Sequence, residues 1–283
     1  MKLKYLSIVL LLTVSGCFAQ KDKPLFPQKP GMVSYTYRNS FKTNVAATLD
    51  TIRSLGVTDM EFSNLFGKTA AELRKLLDER GMICSSFGVS YPDATTKTDA
   101  VAADAKALGA SYVRISGIPR NNKTPFTVEE AKKAANDFNA AGKILKEKYN
   151  LTLVYHNHGF EFRDYEDGTL FDYIVKNTDP EYVSFEMDIL WVVHPGKDPV
   201  SLLEKYGKRF HLMHLKDLKK GVVGDFSGGT PVDNDVALGT GQMNIPAILK
   251  AAKKAGIKHY YIEDESTHIS TQVPQSIAYL KSL

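Results

Sequence analysis

The chain has 283 residues, 43% of them apolar and 24% charged, and its 36 basic and 32 acidic side chains give a formal charge of +4. That composition is ordinary for a folded domain, so disorder is not the default, and the length suits one large α/β domain with a substantial core. No run of Lys or Arg makes a stripe suited to nucleic acid, so no nucleic-acid partner is expected.

At the amino terminus Lys2 and Lys4 precede an apolar run from Leu6 to Val14, then Ser15, Gly16 and Cys17. Residues 1–19 therefore read as an export signal, too short to cross a bilayer as a mature helix. Two cleavage readings stand. Val14-Ser15-Gly16-Cys17 resembles a lipobox, which would put a lipid anchor on Cys17; Cys17-Phe18-Ala19 before Gln20 fits an ordinary signal-peptidase site. Both predict an exported, periplasmic protein, either membrane-anchored or free. Loss of Lys2 and Lys4 leaves 34 basic against 32 acidic groups, a charge of +2. Cys84 then has no partner for an intramolecular disulfide, and its apolar surroundings predict buried filler.

Residues 20–31 are rich in Pro and Lys without periodicity and read as a tether. From residue 32 to 283, short apolar runs alternate with amphipathic ones. The expected strands are Met32–Tyr37, Val57–Ser63, Ile83–Val89, Tyr112–Gly117, Leu151–His158, Val183–Asp188, Phe210–Asp217 and Tyr260–Glu265. Between them, Val45, Leu49, Ile52 and Leu55 share one helix face, and Thr69 with Glu72 and Thr127 with Glu130 make capping boxes. Asp198-Pro199 opens a further helix, and Gly56, Gly81, Gly109 and Gly256 each close one ahead of a β-rich run. Eight strands alternating with eight helices predict a single-domain (β/α)8 TIM barrel. A doubly wound sheet is the alternative, but no G-x-G-x-x-G follows the first strand.

In such a barrel the site lies at the carboxyl ends of the strands, and here those ends are polar. Strand five ends in His156 and His158, two apart and so on one face, with Glu161 just beyond. Alternation puts Glu186 and Asp188 together on strand six, His214 and Lys216 on strand seven, and Glu263 and Glu265 on strand eight. Glu161, Asp188, His214 and Glu263 are the expected ligands of one divalent ion, Mn, Mg, Co or Zn, because three carboxylates and one imidazole form a mostly oxygen set.

The motifs Y-H-N-H-x-x-E-F at 155–162, M-D-x-x-W at 187–191, P-G-x-D-P at 195–199, H-L-K-D at 214–217 and Y-I-E at 261–263 resemble the sugar phosphate isomerase/epimerase family, the xylose-isomerase-like barrels. The resemblance implies one divalent ion on two Glu, one Asp and one His from strands five to eight, with the two glutamates flanking the substrate carbon. Asp188, His214 and Glu263 match that pattern; strand five departs from it, with Tyr155 or His156 where a glutamate is expected and Glu161 the nearest carboxylate.

The implied reaction removes a proton beside a carbonyl, which a metal ion makes easier by stabilising the ene-diolate. His156 or His158 is then the acid/base, Lys216 polarises a substrate oxygen, and Glu263 is both ligand and base. Trp191 is expected to stack on a sugar face, and Glu61 and Arg114 to bind hydroxyls or else pair internally. Gly239 and Gly241 lie where barrels often seat phosphate, but no Arg or Lys accompanies them, and export also favours an unphosphorylated small-molecule sugar. The first expectation is an isomerase/epimerase acting on an unphosphorylated sugar or keto-sugar. A metal-dependent lyase/hydratase on 3-keto-glycosides or their enone products is the alternative, and a non-catalytic sugar-binding lipoprotein the second. Endonuclease IV shares the fold but needs more than the seven histidines present.

Overall fold

The computed structural model describes residues 24–26, 29–121 and 123–283. The export signal, Cys17 and part of the tether lie outside the described residues. Eight parallel strands close into a barrel: β1 (Gly31–Val33), β2 (Asp59–Phe62), β3 (Ile83–Val89), β4 (Tyr112–Ile115), β5 (Thr152–His156), β8 (Val183–Asp188), β9 (Phe210–Leu215) and β10 (His259–Ile262). They pair in chain order, with β10 returning to β1 through Gly31–Tyr261 and Met32–Ile262. The short hairpin β6 (Asp164–Tyr165) and β7 (Gly168–Thr169) interrupts the series after β5.

The helices wrap the outside: α1 (Arg38–Thr43), α2 (Val45–Ser54), α3 (Ala70–Asp78), α4 (Tyr91–Thr96), α5 (Thr98–Leu108), α6 (Val128–Tyr149), α7 (Leu170–Lys176), α8 (Ile189–Val193), α9 (Pro199–Tyr206), α10 (Ile245–Ala255) and α11 (Ile269–Ser282). Their ends follow local chemistry. Both expected capping boxes form, ahead of α3 and α6, and α5 and α10 stop at Gly109 and Gly256 with φ of 79° and 87°, where a side chain would be strained. The first strand is shorter than expected because Ser34–Tyr37 turns as a 3-10 helix that leads into α1.

Alternation along the strands divides the barrel interior into layers. Val33, Tyr112, Val154, Leu212 and Tyr261 form a buried apolar and aromatic cluster inside the barrel, separate from the larger core between strands and helices. Two residues further along β4, β5, β9 and β10 the same inward face presents Arg114, His156, His214 and Glu263. Cys84 is buried and, among the described residues, in no disulfide, as expected of filler.

Candidate metal centre and active site

The polar layer is held together by a small number of local devices. Asp188 ends β8 and caps α8: one carboxylate oxygen, Oδ1, accepts from the N–H groups of Leu190 (2.9 Å) and Trp191 (3.1 Å). Asn157 ties the end of β5 to it, donating to the Asp188 carbonyl and accepting from the Asp188 N–H. The other oxygen, Oδ2, is buried without a hydrogen-bond partner among the described residues. It lies 3.8 Å from each of three nitrogens, His156 Nε2, His214 Nδ1 and Lys216 Nζ. Glu263 Oε2 stands 2.9 Å from His214 Nδ1.

Behind the two imidazoles sits a second pair of carboxylates. Glu186 Oε2 is 3.1 Å from His156 Nδ1 and 3.1 Å from His214 Nε2, and Glu61 Oε1 is 2.8 Å from His214 Nε2. Arg114 pairs with them, with Nε 2.7 Å from Glu61 and 3.5 Å from Glu186. Gly88 on β3 makes this possible: a Cβ there would stand 2.5 Å from Arg114 Nη2.

Charge explains the protonation states. Burial pushes His156 well below the usual imidazole range, helped by His214 and His158, and burial holds His158 down at about 4, so both are neutral near pH 7. Burial also works against a charge on His214, yet Glu186, Glu263 and Glu61 hold its value well above normal. Glu186 is pushed up to about 7 by burial and by Glu61. Burial would raise Glu263, but Lys216 and His214 hold it below the carboxylate range.

Two groups of metal-competent side chains occur among the described residues: His156, Asp188 and His214, and Glu61, Glu186 and His214. The first fits a divalent ion better. Its carboxylate oxygen is the unpaired one, and its neutral imidazole offers a lone pair. Two ligands each about 2.1 Å from a tetrahedral ion lie about 3.4 Å apart, so the 3.8 Å gaps need little closing. Glu61 and Glu186 already face Arg114, and they point the far nitrogens of both imidazoles, the role carboxylates play behind metal-bound histidines.

A cavity of ≈ 390 Å³ opens above the centre, walled by Arg114, His156, His158, Trp191, Glu263 and Glu265, with Gly228–Thr230 among the remaining lining. His158 lies nearly parallel to Trp191, ring centres 6.3 Å apart, and its Nδ1 is buried without a partner among the described residues.

Two expectations are corrected, and of the two readings of Glu61 the internal pair is the one present. Glu161 is not with Asp188, His214 and Glu263: Tyr155, whose ring packs against Phe138 of α6 outside the strands, donates its hydroxyl to Glu161, and so does the His158 N–H. Position 156 faces inward instead, with His156 Nε2 3.8 Å from Asp188 Oδ2. Lys216 does not reach the cavity, because its ammonium is fully buried and held by Glu265 (2.7 Å) and Glu263 (3.3 Å). Glu61 pairs internally, with Arg114, His214 and Ser86 taking up its carboxylate. Glu186, Asn157 and Gly88 were not singled out as site residues; the only signal for Glu186 was its shared face with Asp188. The Gly239–Gly241 loop is a turn closed on Asp217, whose carboxylate accepts from the N–H groups of Gly239, Gly241 and Met243, so those donors are not free for phosphate.

Residues 49–283 match the family described as the xylose isomerase-like TIM barrel. Among curated proteins the chain is similar to inosose dehydratase of Clostridium tetani, 39% identical over 102 residues, which is 36% of this chain and 33% of that protein. It is also similar to inosose dehydratase 2 of Bacillus cereus, 28% identical over 186 residues, 59% of this chain and 61% of the relative. The matched segments thus span between a third and three fifths of those relatives' lengths. A solved sugar phosphate isomerase/epimerase from Parabacteroides distasonis is 27% identical with a TM-score of 0.74, over 90% of this chain and 94% of that one. The IolI protein, solved with a bound zinc atom, is 16% identical with a TM-score of 0.70 over 90% and 96%, a likeness of fold. The barrel, its closure and the match over residues 49–283 place the chain in the xylose isomerase-like TIM barrel family.

Proposed function

We propose that the protein is a divalent-metal-dependent lyase that dehydrates an unphosphorylated keto-sugar or keto-polyol, the alternative reading of the sequence. The observation that carries it is His158: a neutral, half-buried imidazole among the residues that wall the cavity, beside Trp191 and Glu263. The names of the curated relatives support elimination over isomerisation.

His156, Asp188, His214 and Glu263 would hold the ion, and its nitrogen-containing set suits Zn, Mn or Co better than Mg. When bound, it supplies Lewis-acid stabilisation of the charge that develops on the carbonyl oxygen. His158 takes the proton from the carbon next to the carbonyl. The resulting imidazolium faces Glu263 and Glu265, whose charges favour the protonated ring. The electron pair left on carbon forms the C=C bond as the C–O bond on the next carbon breaks. His158 returns its proton to the departing oxygen, so substrate gives enone plus water, or enone plus alcohol for a glycoside. Trp191, parallel to His158, holds a flat ring face against the base.

Isomerisation or epimerisation is the second reading, favoured by the 27% identical P. distasonis structure. Both begin with the same proton abstraction. NMR of keto-sugars and keto-cyclitols in D₂O with metal-loaded protein separates them: an enone with loss of water supports elimination. Deuterium beside the carbonyl without loss of water would replace it with isomerisation, and binding that survives chelation with no exchange would favour a sugar-binding protein. Export rests on the Lys2–Cys17 pattern alone; fractionation and mass spectrometry of the amino terminus test it.

A further inference from the structure

A second cleft lies at the mouth of the barrel, where Arg120 packs on the Phe160 ring. A cleft of ≈ 330 Å³ is lined by Arg120 and Lys123 from the loop between β4 and α6, Arg163 from the segment after β5, and Asp225–Ser227 from the loop between β9 and α10. Three cations converge there, and among the described residues none has a carboxylate within 4.0 Å. Asp225 is the one acid on the wall, and its Oδ1 accepts from the Ser227 N–H (2.8 Å).

The two guanidiniums are held in place by aromatic rings and not by counter-charges. Arg120 lies over the Phe160 ring at 4.2 Å and donates to the Ser227 carbonyl (2.6 Å); Arg163 lies over the Phe226 ring at 5.0 Å. Stacking covers the faces of a guanidinium and leaves its N–H edge free for a planar or tetrahedral anion. Arg163 Nε is buried with no acceptor among the described residues, and a buried donor is normally satisfied.

The geometry points to an anion-binding site formed by Arg120, Lys123 and Arg163, taking a small carboxylate or phosphate group. Like-charged side chains gathered around a cleft repel one another, and an anion held among them reverses that repulsion. The site is independent of the chemistry proposed above. It shares a loop with the active cavity, since the residues after Ser227 continue as Gly228–Thr230 into the cavity wall, and Phe160 touches both Arg120 and His158. An acidic substituent on a substrate longer than one ring would lie on this path.

Titration calorimetry of inorganic phosphate, and separately of glucuronate, into the full chain at low salt tests it. At least one anion should bind with a Kd in about the low-millimolar range or tighter, and the arm that binds identifies phosphate or carboxylate as the group read. Arg163→Gln and the exposed Lys123→Gln should each weaken binding about tenfold, while Lys254→Gln, on a different groove, should not. If Arg163→Gln does not fold, Lys123→Gln carries the test. No binding by about 10 mM, or binding that Lys254→Gln weakens as much as Lys123→Gln does, overturns the site.

Discussion

The lower and upper halves of the barrel interior are built from the same strands and do opposite work. In the lower half Val33, Tyr112, Val154, Leu212 and Tyr261 bury apolar and aromatic surface, which favours the fold. Two residues higher, Arg114, His156, His214 and Glu263 with Glu61, Glu186 and Asp188 bury charge, which opposes folding unless each group is paired. The contrast teaches that stability does not explain the upper layer: replacing buried ion pairs with apolar side chains of similar volume is often neutral or stabilising, but it would remove every side chain proposed above to hold the ion.

The contrast breaks most visibly at the ion. Asp188→Asn keeps the oxygen that caps α8 and neutralises the one left unpaired, so metal content measured by plasma emission should fall and turnover should drop about 10³-fold or more, with the fold retained. Retained metal and turnover would move the centre to Glu61, Glu186 and His214. His158→Gln should leave metal content unchanged and lower kcat about 10²- to 10⁴-fold, with KM little affected. A change in metal content instead would make His158 a ligand.

The lower layer should respond in the other currency. Leu212→Ala should lower unfolding free energy by about 2–5 kcal/mol in denaturant titration while the remaining folded protein keeps its metal. Gly88→Ala sharpens the boundary between layers: the added methyl group meets Arg114 and the Phe62 carbonyl, so a loss of about 1–3 kcal/mol is expected, together with weaker metal binding as Arg114 shifts. The most gradual effect lies outside both layers. Burial pushes Glu161 up to about 7 from 4.5, so its contribution to stability is full below about pH 4.5 and is lost as pH rises through 7. Relative to Glu161→Gln, the native chain should lose up to about 3 kcal/mol between pH 4.5 and 8.

Much of this was legible without coordinates. Glycine punctuation, capping boxes and period-two runs are local signals, and they were enough for an eight-stranded barrel with a polar mouth. The same alternation put His156 with His158, Asp188 with Glu186 and His214 with Lys216 on inward faces. It failed at Glu161, which lies beyond the end of β5 on a one-turn helix where period two no longer applies. It also misjudged Lys216: an inward direction was readable, but whether its ammonium meets substrate or four surrounding carboxylates was not.

What the chain alone determined was which residues lie at strand ends and which way each points, because a strand's side-chain direction follows from backbone geometry one residue at a time. Which of them meet was decided by closure of the barrel. Register between strands far apart in sequence brings Asp188 beside His214 and Tyr261 beside His214, and only then does one unpaired oxygen face two imidazoles. The room for Arg114 beside that centre likewise comes from a glycine on a neighbouring strand, a contact between β3 and β4 that neither segment reveals by itself.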